Sequence, residues 1–127
     1  MDSILNQLKF DKNGLIAAII QDDQTNEVLM FAFMNREAVE RTLKGPHVTL
    51  WSRSRKKIWV KGEESGHTQE VKEIYYDCDA DALLIKVDQK VAACHEGYRS
   101  CFFRKIEDGQ SKIVAKRIFD PKVTYKK

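Results

Sequence analysis

Residues 15–34 read LIAAIIQDDQTNEVLMFAFM. The first seven form a continuous apolar run, short enough for a buried strand. Residues 22–26 are polar and turn-like, and 28–34 form a second run, apolar and aromatic. Two such runs around a polar turn predict a β-hairpin. Asn35, directly after it, suits a helix N-cap, whose side-chain oxygen accepts a bond from an otherwise unpaired backbone N–H. Glu37 would complement the helix dipole in the first turn. Ala38, Val39, Thr42 and Leu43 follow helical spacing, and Gly45-Pro46 stops the helix.

Outward from this unit, β character returns at 48–52 and 58–61, joined by the basic loop 53–57. Residues 62–66 form a flexible acidic loop leading to His67. Further strands are predicted over 68–76 and 82–87. Asp108-Gly109 is a two-residue turn signal between 101–106 and 112–118. Residues 4–10 suit a short helix or turn, and 122–127 are expected to fray. The pattern predicts one domain over residues 1–127, α+β, mainly antiparallel β with one clear helix.

Charged residues make up 32 % of the 127 and apolar ones 43 %, an ordinary globular composition. A net charge of +3 allows an anionic ligand without demanding nucleic acid. No stretch approaches the roughly 20 apolar residues of a membrane span. The N-terminus lacks a basic region followed by an apolar run, so no secretory signal is expected. Three cysteines cannot all close into disulfides within one chain. In a reducing cytoplasm, the compartment expected here, clustered thiols serve better as metal ligands or catalytic groups.

All three cysteines lie in residues 77–101, DCDADALLIKVDQKVAACHEGYRSC, together with Asp77, Asp79 and Asp81. Soft sulfur suits zinc, and clustered carboxylates suit magnesium, calcium or manganese. There is no CxxC pair, which argues against a zinc finger or ribbon. Three thiolates at Cys78, Cys94 and Cys101 would leave a fourth zinc position open for water, as in catalytic sites. His95 could close that position as a ligand or act on the water. If 77–81 is extended, the three carboxylates share one side and Cys78 faces the other. An EF-hand also begins DxDxD, but its sixth position would be Ala82 and its twelfth Asp88, so that reading is rejected.

Residues 51–57, WSRSRKK, join an indole to four cations. Arg53 and Arg55 can clamp phosphate with forked donors, and Trp51 or Trp59 can stack on a base. An isolated charge run is more often a solvated loop. His67 follows a glycine and suits proton transfer near neutral pH.

Three blocks together, WSRSRKKIWVKGEESGHTQEV, DCDADALLIKV and ACHEGYRSCFFR, with FAFMNREAVERT before them, resemble phosphoribosyl-AMP cyclohydrolase. The resemblance covers about residues 14–104. It implies an enzyme of histidine biosynthesis that hydrolytically opens the adenine ring of phosphoribosyl-AMP between N1 and C6. It implies an intertwined homodimer with zinc at the subunit interface and a magnesium requirement. Carried over by motif, Cys78, Cys94 and Cys101 would bind zinc, one of them from the opposite subunit. Asp77, Asp79 and Asp81 would bind magnesium. His67 or His95 would move the proton, and Arg53, Arg55 and Lys61 would hold the phosphoribosyl groups, with Trp51 against the base. Lys90-Val91-Ala92 departs from the small residues usual before Cys94, and Glu96 stands where Thr is common. No attached pyrophosphohydrolase domain is visible, so a single activity is expected. A zinc nucleobase deaminase is the first rival, but its H-x-E and P-C-x-x-C signature is missing. An RNA-binding module using Trp51, Arg53 and Arg55 is the second.

Overall fold

The structure is a computed structural model and describes residues 2–124. Its centre is the expected hairpin. Strands β1 (Leu15–Asp22) and β2 (Val28–Asn35) pair antiparallel from Leu15 opposite Asn35 to Gln21 opposite Val28, with a bulge at Ile20/Gln21. Asp22 builds the turn. Its carboxylate accepts bonds from the N–H groups of Gln24 (3.2 Å) and Thr25 (2.8 Å) and from the Thr25 hydroxyl (2.8 Å). Helix α2 (Arg36–Lys44) starts as read: the Ala38 N–H donates to Asn35 Oδ1 at 2.8 Å. It stops at Gly45, whose φ of 71° favours glycine and whose N–H donates to the carbonyls of Arg41 and Thr42. Thr42 then ties the helix to the next strand by accepting the Thr49 N–H at 3.0 Å.

Strands β3 (Thr49–Ser52), β4 (Lys57–Val60), β5 (Gln69–Tyr76) and β6 (Ala82–Gln89) complete a six-stranded sheet in the order β4-β3-β2-β1-β6-β5. Every pairing is antiparallel except β1 with β6, which run parallel from Ala17 opposite Ala82 to Asp22 opposite Val87. Helix α1 (Asp2–Gln7) and α2 help cover one face. Between them and the sheet lie Leu5, Ile16, Ala18, Ile20, Met34, Val39, Leu50 and Ile85, all buried. A fully buried Leu or Ile stabilises the fold by roughly 1.5–3 kcal/mol. Strands β7 (Arg104–Glu107) and β8 (Gln110–Ile113) form a separate two-stranded arm around Asp108-Gly109. The ladder between β2 and β3 consists of one residue pair, Phe33 opposite Trp51.

Three expectations change. Residues 77–81 are not extended. They form the turn between β5 and β6, with Ala80 at φ 59° and the Asp77 carboxylate accepting the N–H groups of Asp81 (3.0 Å) and Ala82 (3.3 Å). The alternating-face argument for the aspartates and Cys78 therefore fails. Strands were expected over 101–106 and 112–118, but the arm's ladder spans only 104–113. Cys101 instead donates its N–H to the Leu29 carbonyl, and Ile118 donates to Gly97. Residues 121–124 form a helical turn, α3 (Pro121–Thr124), rather than a frayed end. The rest of that expectation, 125–127, lies outside the described residues.

Candidate active site

Residues 93–101 form a small closed loop. Ala93 donates its N–H to the Arg99 carbonyl at 2.8 Å, Cys94 donates to Tyr98 at 3.2 Å, and Gly97 donates back to Cys94 at 3.2 Å. Tyr98 stacks flat on Phe103, ring centroids 3.8 Å apart. Arg99 fastens the loop to the body: it donates to Asp22 Oδ1 at 2.7 Å and to the Val91 carbonyl at 3.1 Å. Asp22 is almost fully buried. Burial raises its pKa, but the bonds from Thr25 and Gln24 and the Arg99 charge outweigh that and hold it below the usual carboxylate range. This scaffolding brings Cys94 and Cys101 together. Crowding of its sulfur and the neighbouring Cys94 sulfur push the Cys101 thiol up to about 11, although the residue keeps surface exposure.

Lys61 is the cation beside this pair. Its Nζ donates to the Ala93 carbonyl at 2.7 Å. Burial pulls its ammonium below the ordinary lysine range, and the Cys101 and Cys94 sulfurs oppose that pull. His67 lies close to Lys61 and is only 8 % exposed; burial, then the Lys61 charge, lower its pKa, so it is neutral at pH 7. Its ring meets Phe119 edge-on at 4.7 Å, and its Nδ1 is buried with no hydrogen-bond partner among the described residues. Gly62 makes this placement possible. A Cβ there would sit 2.4 Å from the His67 carbonyl, and its φ of 84° favours glycine as well.

Where β2 and β3 meet at their single pair, the surface opens into a cleft of about 560 Å³. Trp51, Arg53, Arg55, Lys61 and His95 all line it. The basic loop and the histidine of the thiol loop, far apart in sequence, are thus brought to one cavity. His95 is exposed there, whereas His67 is not among the lining residues. Trp59 also lines the cleft, with its ring packed on the core and the Lys61 ammonium 5.4 Å above it.

Cys78 stays apart from the other two sulfurs. It is exposed in the β5–β6 turn, its thiol 3.7 Å from Asp79 Oδ1. Asp77 and Asp81 do meet, in spite of the failed strand geometry. The hydrogen bond that a protonated Asp81 donates to Asp77, and then the Asp77 charge, push the Asp81 carboxyl above the ordinary range. Among the described residues of one chain, no three His, Cys, Asp or Glu side chains gather into a group able to hold a metal ion.

Sequence reasoning missed Phe31 and Phe33, which were read only as part of the apolar, aromatic run of the hairpin. Both line the cleft. The signal was present: MFAFM places two rings two residues apart, hence on one face of a strand. It also missed Arg99, whose role depends on a contact with Asp22 across 77 residues.

A cleft that joins clustered cations and aromatic rings to a histidine and a nearby thiol pair is a site for chemistry on an anionic, ring-bearing small molecule. The comparisons with known proteins give that class a family. Residues 30–103 match the family model described as phosphoribosyl-AMP cyclohydrolase. The chain is 56 % identical over 121 residues to the phosphoribosyl-AMP cyclohydrolase of Methanococcoides burtonii, covering 95 % of this chain and 98 % of that protein. It is 54 % identical to that of Pelotomaculum thermopropionicum, over 97 % of this chain and 96 % of the relative. With that of Chlorobaculum tepidum it shares 52 % identity, over 98 % and 92 %. The chain belongs to the phosphoribosyl-AMP cyclohydrolase family and is an enzyme. No helix among the described residues is long and apolar enough to cross a membrane.

Proposed function

We propose that this enzyme hydrolyses phosphoribosyl-AMP, opening its adenine ring between N1 and C6 as a step of histidine biosynthesis in the cytoplasm. The observation that carries the reading is the convergence of Trp51, Arg53, Arg55, Lys61 and His95 on one cleft next to the Cys94–Cys101 pair.

Arg53 and Arg55 hold phosphate, since forked guanidinium donors match its oxygens. Trp51 lies against the base. Lys61, turned inward to the Ala93 carbonyl, stabilises negative charge on the two sulfurs. In the reaction, water oxygen bonds to C6, the C6–N1 bond breaks, and N1 leaves with a proton; no ammonia is released. His95, exposed in the cleft, is the side chain able to carry that proton. His67, nearly buried and close to Lys61, offers a second basic nitrogen.

Two adjacent thiols fit a soft cation, and Cys78, exposed on a hairpin turn, fits a third donor given to another copy. Zinc held by Cys94, Cys101 and the partner subunit's Cys78 would lower the pKa of a water towards roughly 7. Asp77 and Asp81, pressed together with Asp79 beside them, have the donor chemistry for magnesium. A homodimer also accounts for the arm, where Ile106 and Ile113 are exposed, and for the exposed Val114 and Ile118 beyond it.

The test is incubation with phosphoribosyl-AMP, following ring opening by ultraviolet absorbance. Ring opening without ammonia is expected, lost with a chelator and restored by zinc. Ammonia release would mean a deaminase, and an inert metal-loaded protein would remove the reading.

A further inference from the structure

Phe31 is a large apolar side chain 51 % exposed inside a cleft, although it sits at the centre of the protein's main hairpin. Its ring meets Phe33 edge-on, centroids 5.2 Å apart and planes at 88°. Phe33 stands opposite Trp51, so the three rings share one face of the sheet. The Arg53 guanidinium lies 4.1 Å above the Phe33 ring. Among the described residues no carboxylate pairs with Arg53, so its charge is left for a ligand. An apolar ring surface thus adjoins a pre-oriented cation, in the cavity that also holds His95.

We propose that Phe31 is the platform on which the purine of the substrate stacks, and that Phe33 acts through Arg53 by holding its guanidinium towards the substrate phosphate. Phe31 has the requirements of a stacking partner: half of its surface is exposed, it lines the cleft, and the perpendicular Phe33 ring restrains it. The purine is the occupant that fits, because a base carries its own phosphate and the cation lies alongside. A purely apolar partner would leave Arg53 buried without a counter-charge, at a cost. This assignment rests on the nucleotide-hydrolase reading above and adds the residues that select the base.

The experiment compares two ligands on the metal-loaded wild-type protein and on Phe31→Ala, Phe31→Leu, Phe31→Tyr and Phe33→Leu. AMP carries base and phosphate; ribose 5-phosphate carries the phosphate alone. Binding is read by calorimetry, folding by circular dichroism, and mass by sedimentation. Phe31→Ala and Phe31→Leu are expected to weaken AMP roughly tenfold while leaving ribose 5-phosphate unchanged, and Phe31→Tyr to restore it. Phe33→Leu is expected to weaken both ligands, since it releases Arg53. With phosphoribosyl-AMP, Phe31→Leu should raise KM more than it lowers kcat. Equal AMP affinity in the wild type and Phe31→Ala would overturn the platform, as would a wild type in which the base adds nothing over ribose 5-phosphate. A fall in mass with loss of both ligands would make Phe31 an interface residue and overturn it too. Absence of turnover in the wild type counts against the proposed reaction, whereas base-dependent AMP binding decides the platform separately.

Discussion

Two segments of this chain carry the donors expected to meet metal ions, and they are built in opposite ways. Residues 93–101 are locked into the body by their own backbone bonds, by Arg99 on Asp22, and by the Cys101 N–H on Leu29. Residues 77–81 are an exposed hairpin turn, held by Asp77 and by the Lys9 N–H on the Ala80 carbonyl. The first is a rigid loop with two neighbouring sulfurs. The second is a projection whose sulfur has no companion in its own chain. Were the proposed zinc site split this way, its geometry would come from the rigid half and its completion from association, so that donor set and oligomer would form together.

The sharpest way to break the comparison is at the sulfurs. Cys94→Ser and Cys101→Ser should each reduce turnover on the order of a hundredfold or more and lower bound zinc, as read by metal analysis. Cys78→Ser should do the same while leaving the fold of each chain intact. Co-expressed Cys78→Ser and Cys94→Ser chains should regain part of the activity that neither has alone. No recovery in the hybrid would place all three sulfurs in one chain.

Next comes the clamp. Asp22→Ala should cost about 2 kcal/mol in denaturant unfolding, less than a fully buried pair because the Arg99 side chain is 33 % exposed. Asp22 has a folded pKa below its unfolded one. Its contribution is therefore complete above the unfolded value near 3.9 and is lost as pH falls through the folded value. Asp22→Asn should accordingly be less sensitive than the wild type over that acid range, measured as stability against pH. A variant as acid-sensitive as the parent would deny Asp22 this role.

The smallest effects on stability belong to the carboxylates of the projecting turn. Asp77→Ala removes an acceptor from two N–H groups and should cost about 1 kcal/mol, with the thiol loop unaffected. Asp79→Asn should abolish the response of turnover to magnesium without changing stability. An unchanged response would take the carboxylates out of the mechanism.

Much of this was legible in the sequence because it is local. The hairpin, the Asn35 cap and the Gly45-Pro46 stop each depend on residues within a few positions of one another. The parallel β1–β6 ladder was not legible, because it joins segments more than 60 residues apart that carry the same apolar pattern as an antiparallel neighbour. The shape of 77–81 was left open, because strict alternation of aspartates also suits a strand; a left-handed Ala80 and a capping carboxylate make it a turn. The basic loop was recognisable, but its meeting with His95 required the fold. Phe31 was hidden by its composition: an apolar strand residue reads as core until the single-pair ladder between β2 and β3 leaves it exposed.

Gly62 constrains anyone who would re-engineer the rim of this cleft. Its hydrogen atom occupies the only space between two passes of main chain, with the His67 peptide on the far side. Even alanine at that point would have to push a backbone rather than a side chain. The exposed Glu63 and Glu64 offer room for diversification, while Gly62 before them admits none without moving the imidazole.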